Sequence, residues 1–205
     1  MPRWGIIVAG VAVFALVASQ VLIPSLGERR VEDRLTEGGG SAEVTLGALP
    51  AARLLFSDGE RFEVDARDLE LDLDEEVEVF DRLDGFSIVD VSIEDTVAGP
   101  FELESFRLTR DGEGPYRVVA SGATTAGGLA EAGLETVELP GESLADLFLD
   151  GLFGDADEAP VPVELDLELT SDDGRVQVVS GGGTVAGFET GSLAQLITSA
   201  IVVQL

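Results

Sequence analysis

The chain has 205 residues and a formal net charge of −28, with 40 acidic residues against 12 basic ones. Such a surface repels phosphate backbones, so nucleic acid is excluded as a partner. Cysteine, histidine and lysine are absent, which removes disulfides, thiolate metal sites, histidine bases and lysine Schiff bases. Because 45% of the residues are apolar, we expect a folded protein. Because these catalytic side chains are absent, we expect it to be non-enzymatic and to have no cofactor.

The chain begins with an uncharged apolar run from Trp4 to Gly27. A bilayer core needs about 20 mostly apolar helical residues, so the run predicts a membrane anchor over residues 1–27 and one extracytoplasmic domain over residues 28–205. Val17-Ala18-Ser19 has the small residues of a signal-peptide cleavage site, but the apolar run continues past it, which favours a retained anchor. We expect a single-pass plasma-membrane protein, or a secreted one if the run is cleaved.

Apolar spacing predicts the elements between the anchor and residue 85. A period near 3.6 residues indicates a helix, and strict alternation indicates a strand. The predicted elements are a helix over Glu28–Leu35, a strand over Ala42–Leu46, a short helix over Ala51–Phe56 opened by Pro50, a long strand over Arg61–Leu73 and a helix over Glu75–Leu83. In the long strand the alternation slips by one residue between Ala66 and Leu69, which predicts a β-bulge.

The second half of the chain repeats this mixture of elements. Strands are predicted over Ser87–Glu94, Phe101–Thr109, Tyr116–Ala123, Val161–Thr170 and Arg175–Ser180, and helices over Ser143–Phe153 and Ser192–Leu205. A second slip of the alternation falls within Phe101–Thr109. The predicted fold class is α+β: an elongated, bulged, mostly antiparallel sheet packed on amphipathic helices and preceded by a transmembrane helix.

An internal similarity links residues 117–128 to residues 177–188 at a constant offset of 60. Each copy precedes a predicted helix that opens with Ser-Leu-Ala. A duplicated strand–helix unit accounts for this similarity, and so does chance in a sequence of low diversity.

The two late helices carry broad apolar stripes. Ordinary core packing against the sheet explains such stripes. The functional alternative is an apolar cleft for acyl chains, which requires no catalytic group and only a few polar donors at its rim. The candidate lipid-lining residues are Leu144, Leu147, Phe148, Leu193, Leu196, Ile197 and Ile201.

The many carboxylates suggest two further kinds of site. A pair of them could hydrolyse glycosides, but coincidental pairs are inevitable among 40 acids. Calcium is the other possibility, with candidate ligands Asp72, Asp74, Glu75 and Glu76, or Asp155, Asp157 and Glu158. No twelve-residue calcium loop is present, so we favour a solvated strand face and predict no metal site.

Residues 20 to about 125 share an order of features with a known family. An apolar anchor is followed by a short charged helix, a short strand, the segment Pro50-Ala51-Ala52-Arg53-Leu54-Leu55, a glycine at 59 and a long alternating strand. This order resembles the LmeA-like phospholipid-binding proteins of actinobacterial cell envelopes. The resemblance implies a sheet wrapped around helices, membrane lipids as partners, and a supporting role in envelope lipid or glycolipid metabolism.

Two functions follow as expectations. The first is non-enzymatic binding of a phospholipid or glycolipid precursor at the outer side of the plasma membrane. The second is a membrane-anchored structural or partner-binding module with a filled core. A cavity of several hundred cubic ångströms would favour the first, because ligand pockets have roughly that size.

Overall fold

A computed structural model describes residues 19–20, 22–71, 80–125, 138–139, 142–143, 160–172, 175–185 and 188–189. Residues 22–35 form helix α1, with residues 19–20 also helical. The later helices are a 3-10 helix over Ala51–Phe56 and the short α2 over Asp81–Asp84. The strands are β1 Ser41–Gly47, β2 Gly59–Arg67, β3 Glu70–Leu71, β4 Phe86–Ala98, β5 Phe101–Asp111, β6 Tyr116–Thr124, β7 Glu138–Leu139, β8 Glu142–Ser143, β9 Val161–Asp172, β10 Arg175–Val185 and β11 Phe188–Glu189.

One mixed sheet dominates the described part of the chain. Its strand order is β1-β2-β4-β5-β6-β9-β10-β11, and β3 continues beside β4. The strands β2 and β3 run parallel to β4, and the other pairings in this sheet are antiparallel. The expected sheet-dominated α+β class is therefore confirmed. A parallel pair needs a crossover connection, and here residues 68–85 supply it.

The core lies against one face of this sheet. Because side chains alternate between the two faces of a strand, paired strands place their inward residues in rows across the sheet. One such row, followed from β1 to β9, is Val44, Val64, Val91, Leu108, Val118 and Leu167. Every member of the row is buried, which explains why the alternating segments of the sequence form strands.

The opposite face of the sheet is polar and solvated. Ion pairs join neighbouring strands there, with Arg107 next to Asp90 at 3.2 Å and Arg117 next to Asp166 at 3.2 Å. These side chains are 40–65% exposed, so each pair contributes at most about 1 kcal/mol to stability. The carboxylates on this face of the described strands therefore serve as a solvated surface, as predicted.

Both predicted slips of the alternation are present, and they line up across the sheet. The slip in β5 is a bulge relative to β6, whereas the slip after Ala66 is matched in β4, so the register of β2 and β3 with β4 stays constant. Asp68 and Asp95 have left-handed backbone angles, with φ of 54° and 52°. In β5 the register with β6 shifts between Leu103 and Ser105, which makes Glu104 the extra residue. We call Asp68, Asp95 and Glu104 the bulge line. An extra residue at the same level of three strands bends each strand there and preserves the inward face on both sides.

Helix α1 is longer than the sequence predicted. It begins by residue 22, passes through Pro24 and Gly27, and ends at residue 35. The helix therefore crosses residue 27, where the predicted anchor meets the predicted domain. Within the described residues, no helix has the length and apolar content needed to cross a bilayer. Residues 1–18 and residue 21 of the predicted anchor lie outside them.

Several other predictions also fall outside the described residues. They include the helix over Ser192–Leu205 and, apart from its first residue, the helix over Ser143–Phe153. The strands of the internal similarity, β6 and β10, pair with opposite sides of β9. Their equivalent residues differ in burial, because Val118 is fully buried and Val178 is 44% exposed. The similarity of sequence therefore does not extend to equal packing.

Candidate functional site

A cleft of about 650 Å³ lies where α1, the 3-10 helix, α2 and the ends of β1 and β2 meet. Its apolar walls come from α1, the 3-10 helix, β1, β2 and the first residue of β4, and α2 contributes Arg82. The lining residues are Ile23, Leu26, Gly27, Arg30, Val31, Arg34, Leu46, Leu54, Leu55, Ser57, Phe62, Arg82 and Phe86. None of these described lining residues is acidic, although the chain contains 40 acids.

Helix α1 provides one complete wall of the cleft. Consecutive lining residues of α1 are three or one positions apart, and every second one is four positions apart. All six therefore form a single helical face. Apolar spacing in the sequence predicts that Ile23, Leu26, Val31 and Leu35 share one face of this helix, and the first three do line the cleft together. The same spacing predicts that charges fill the other face. That prediction is wrong for Arg30 and Arg34, which share the cleft face with the apolar residues.

Two glutamates fix α1 against the free edge of β1. The carboxylate of Glu28 accepts a hydrogen bond from the backbone N–H of Leu46 at 3.0 Å, and that of Glu32 accepts one from Val44 at 3.2 Å. Four residues of helix advance about 6 Å and two residues of strand about 6.8 Å, so the two spacings match. Gly27 allows the close approach, because a Cβ there would lie 2.8 Å from Cδ1 of Leu46.

The three arginines of the cleft have no partner within the described part of the chain. Arg30, Arg34 and Arg82 are exposed, and they make no ion pair or hydrogen bond with any described residue. Two like charges four residues apart on a helix destabilise it by about 0.2–0.5 kcal/mol. Positive charge that no described residue neutralises thus lies beside apolar walls, and this is the chemistry that suits an anion with an apolar part.

Apolar side chains at the mouth of the cleft are poorly covered. Leu26 and Leu55 line the cleft, yet they are 66% and 69% exposed. Exposed apolar residues that are grouped around a concave surface are typical of binding sites rather than of ordinary surface. The cleft thus combines uncovered apolar surface with unpaired positive charge.

A cluster of polar side chains next to the cleft holds one of its walls in position. Arg110 lies on the inward side of β5, and its side chain is only 9% exposed. Its guanidinium donates to the carbonyls of Leu83 at 3.0 Å and Asp84 at 3.1 Å, and also to that of Phe86. It pairs with the Asp84 carboxylate at 3.3 Å and lies 4.4 Å from the ring centroid of Tyr116.

Tyr116 belongs to this cluster and has no free hydroxyl for chemistry. Its O–H donates to Asp84 at 2.9 Å, and its ring packs edge-on against Phe80 at 4.6 Å between centroids. Burial raises the pKa of Tyr116 far above its ordinary value, so the phenol stays protonated. We name Asp84, Arg110 and Tyr116 the arginine clamp; it fixes residues 80–86, which supply Arg82 and Phe86 to the cleft.

The predicted site residues cannot be compared with this cleft. Leu144, Leu147, Phe148, Leu193, Leu196, Ile197 and Ile201 lie outside the described residues, as do all seven calcium candidates. Among the residues that are described, no group of His, Cys, Asp or Glu could hold a metal ion. The sequence missed Arg30 and Arg34 as site residues. Their signal was two arginines, four residues apart, at the edge of an apolar helical stripe.

Comparison with known proteins identifies no relative. No protein-family model, no curated protein and no solved structure matches the chain. The resemblance to LmeA-like proteins therefore stays a hypothesis that depends on residues 20 to about 125 alone.

Proposed function

We propose that the protein binds an anionic phospholipid or glycolipid precursor without chemical conversion, at the outer side of the plasma membrane. The acyl part occupies the apolar walls of the cleft, and the headgroup lies against Arg30, Arg34 and Arg82. Residues 1–27 hold the domain next to the lipid source.

One observation carries this proposal. In a chain of net charge −28, a cleft of about 650 Å³ has three arginines without a described partner and no acid among its described lining residues. The volume lies within the range of ligand pockets, about 300–1,000 Å³. The net charge of the chain repels anions, so positive charge grouped in a cleft favours binding of an anionic ligand there.

Lipid analysis of three proteins tests the proposal. The full chain, an Arg30→Gln/Arg34→Gln/Arg82→Gln variant and an Arg61→Gln/Arg67→Gln/Arg107→Gln control are purified from membranes, extracted and quantified by mass spectrometry. The control removes the same charge from the polar face of the sheet, where these arginines pair with carboxylates.

We expect anionic lipid to co-purify with the wild type and the control, and to fall at least tenfold in the cleft variant. A single charge-assisted contact is worth about 1.5–3 kcal/mol, which corresponds to tenfold or more. Equal lipid on all three proteins, or none on the wild type, would sink the proposal. The second outcome would favour a partner-binding module with a filled core.

A further inference from the structure

The segment between β1 and β2 exposes three large apolar side chains beside the mouth of the cleft. Leu49, Leu55 and Phe56 are 70%, 69% and 83% exposed. We call these three residues the apolar tip. No acidic residue occurs between Glu43 and Asp58, although acids make up 40 of the 205 residues of the chain.

The one charge within this segment is neutralised. The Arg53 guanidinium donates to both carboxylate oxygens of Asp58, with Nε at 2.9 Å and Nη2 at 2.7 Å. The paired guanidinium and carboxylate together have no net charge, so they add none beside the apolar tip. The segment therefore has no net charge, and its one acid, Asp58, is paired with Arg53, so little in it repels anionic lipid.

The backbone of the tip is also prepared for an apolar environment. The N–H of Arg53 bonds to the carbonyl of Pro50 at 3.1 Å, and the N–H of Ser57 to that of Leu54 at 3.2 Å. Pro50 has no N–H group, and the N–H of Ala51 bonds to Oε1 of Gln20 at 3.0 Å. Because unpaired backbone groups are costly in hydrocarbon, these bonds lower the penalty of inserting the segment.

The same hydrogen bond connects the tip to the predicted anchor. Gln20 lies within the uncharged run Trp4–Gly27, so the run that is predicted to enter the bilayer is attached to the 3-10 helix. Its continuation, α1, forms the wall of the cleft. Gln20 of the predicted anchor therefore lies at the same end of the sheet as the apolar tip.

We infer that the apolar tip inserts into the lipid bilayer and holds the mouth of the cleft at the membrane surface. The occupant of this surface is the bilayer itself, at the level where headgroups meet acyl chains, as for other shallowly inserted apolar faces. The inference rests on the proposed function only for the identity of the ligand that enters the cleft. The contact between tip and bilayer can be measured on its own.

A single tryptophan at the tip reports its environment. Trp4 is the only tryptophan of the chain, so Trp4→Phe/Phe56→Trp leaves one reporter at the tip. Trp4→Phe/Val119→Trp is the matched control, since Val119 is 40% exposed on the polar face of the sheet. Each full chain is reconstituted into vesicles of equimolar phosphatidylcholine and phosphatidylglycerol, with or without bromine on the acyl chains.

We expect brominated lipid to quench the tryptophan at position 56 and leave that at position 119 unquenched. In a transfer assay, Leu49→Ser/Phe56→Ser slows lipid pickup from donor vesicles at least about tenfold. The lipid content of this variant after loading in detergent is unchanged, because neither residue lines the cleft.

The outcomes separate the two proposals. A tryptophan at position 56 that stays water-exposed overturns the inference. One that is shielded from acrylamide but not quenched by bromolipid is covered by protein, and this also overturns it. Lipid in the extract with an unquenched reporter leaves the proposed function standing, whereas a quenched reporter without extracted lipid removes the cleft ligand and keeps the membrane contact.

Discussion

Removing the arginine clamp tests how the cleft is built. We consider Arg110→Met, which keeps the aliphatic length of the side chain and deletes its guanidinium. The carbonyls of Leu83, Asp84 and Phe86 lose their donor, and the Asp84 carboxylate loses its positive partner. Among the described arginines that form ion pairs, Arg110 has the least exposed side chain.

The size of the effect follows from burial. Breaking a buried ion pair by removing one partner costs about 3–5 kcal/mol. The Nε of Arg110 is buried without a hydrogen-bond partner among the described residues, which reduces what the native cluster contributes. We therefore expect the free energy of unfolding to fall by about 3 kcal/mol. For a chain of this size, that lowers Tm by roughly 6–12 °C.

Denaturant and thermal unfolding of the variant measure this change. The control is Arg107→Met, on the same strand, where the ion pair with Asp90 is 3.2 Å long and the arginine side chain is 60% exposed. An exposed pair is worth about 1 kcal/mol or less. If Arg110→Met and Arg107→Met destabilise the protein equally, the clamp does not hold residues 80–86.

Lipid binding gives the clamp a functional readout. Arg82 and Phe86 line the cleft and lie within the segment that Arg110 holds. We expect Arg110→Met to reduce lipid content at temperatures where the variant is still folded, while Arg107→Met leaves it unchanged. Full lipid content in a folded Arg110→Met protein would mean that the clamp does not position the cleft.

Two further predictions concern the base of the apolar tip and the close packing around it. The hydrogen bond from Arg53 lowers the pKa of Asp58 below its ordinary value. The stabilising effect of this pair is therefore present above the pKa of Asp58 in the unfolded chain and is lost as pH falls through its pKa in the folded protein. Carboxyl NMR titration should show the pKa of Asp58 returning toward normal in Arg53→Gln, and an unchanged pKa would refute the pairing. Gly85→Ala places a Cβ 1.8 Å from the carbonyl oxygen of Ser57 and should cost about 1–3 kcal/mol or more in urea unfolding. Gly182→Ala has nothing within 4 Å of its new Cβ, and a loss as large as that of Gly85→Ala would contradict this explanation.

Sequence patterns predicted the sheet better than the cleft. Alternation is a local property, so β4, β5, β6 and β9 were found within a few residues of their ends. Both slips of the alternation are present, and the one in β5 is a bulge. The parallel pairing of β2 with β4 is not local, and nothing in the spacing of either strand specifies it. Arg110 comes two residues after the buried Leu108, so the alternation of β5 places its side chain on the inward face. A charged residue is not expected in a core, and the pattern is therefore not interpreted as a buried arginine.

The cleft depends on contacts between distant segments. Arg30 and Arg34 are ordinary surface arginines until the 3-10 helix and α2 are placed beside them. Arg82 joins them only because the crossover returns α2 to the same end of the sheet. Sequence spacing describes one element at a time, so it predicted the apolar stripe of α1 and not the site that the stripe helps to form.

The bulge line has a consequence for how the length of this chain can change in evolution. Asp68 and Asp95 are extra residues at the same level of two parallel neighbours, whose register is constant on both sides of the bulge. A deletion of Asp68 alone would set inward residues of β3 opposite outward residues of β4. Deleting Asp95 and Glu104 as well would restore every pairing, because Glu104 lies opposite Asp95 in β5. Insertions and deletions at this level are therefore tolerated only as a matched set across three strands, and single ones are confined to the turns.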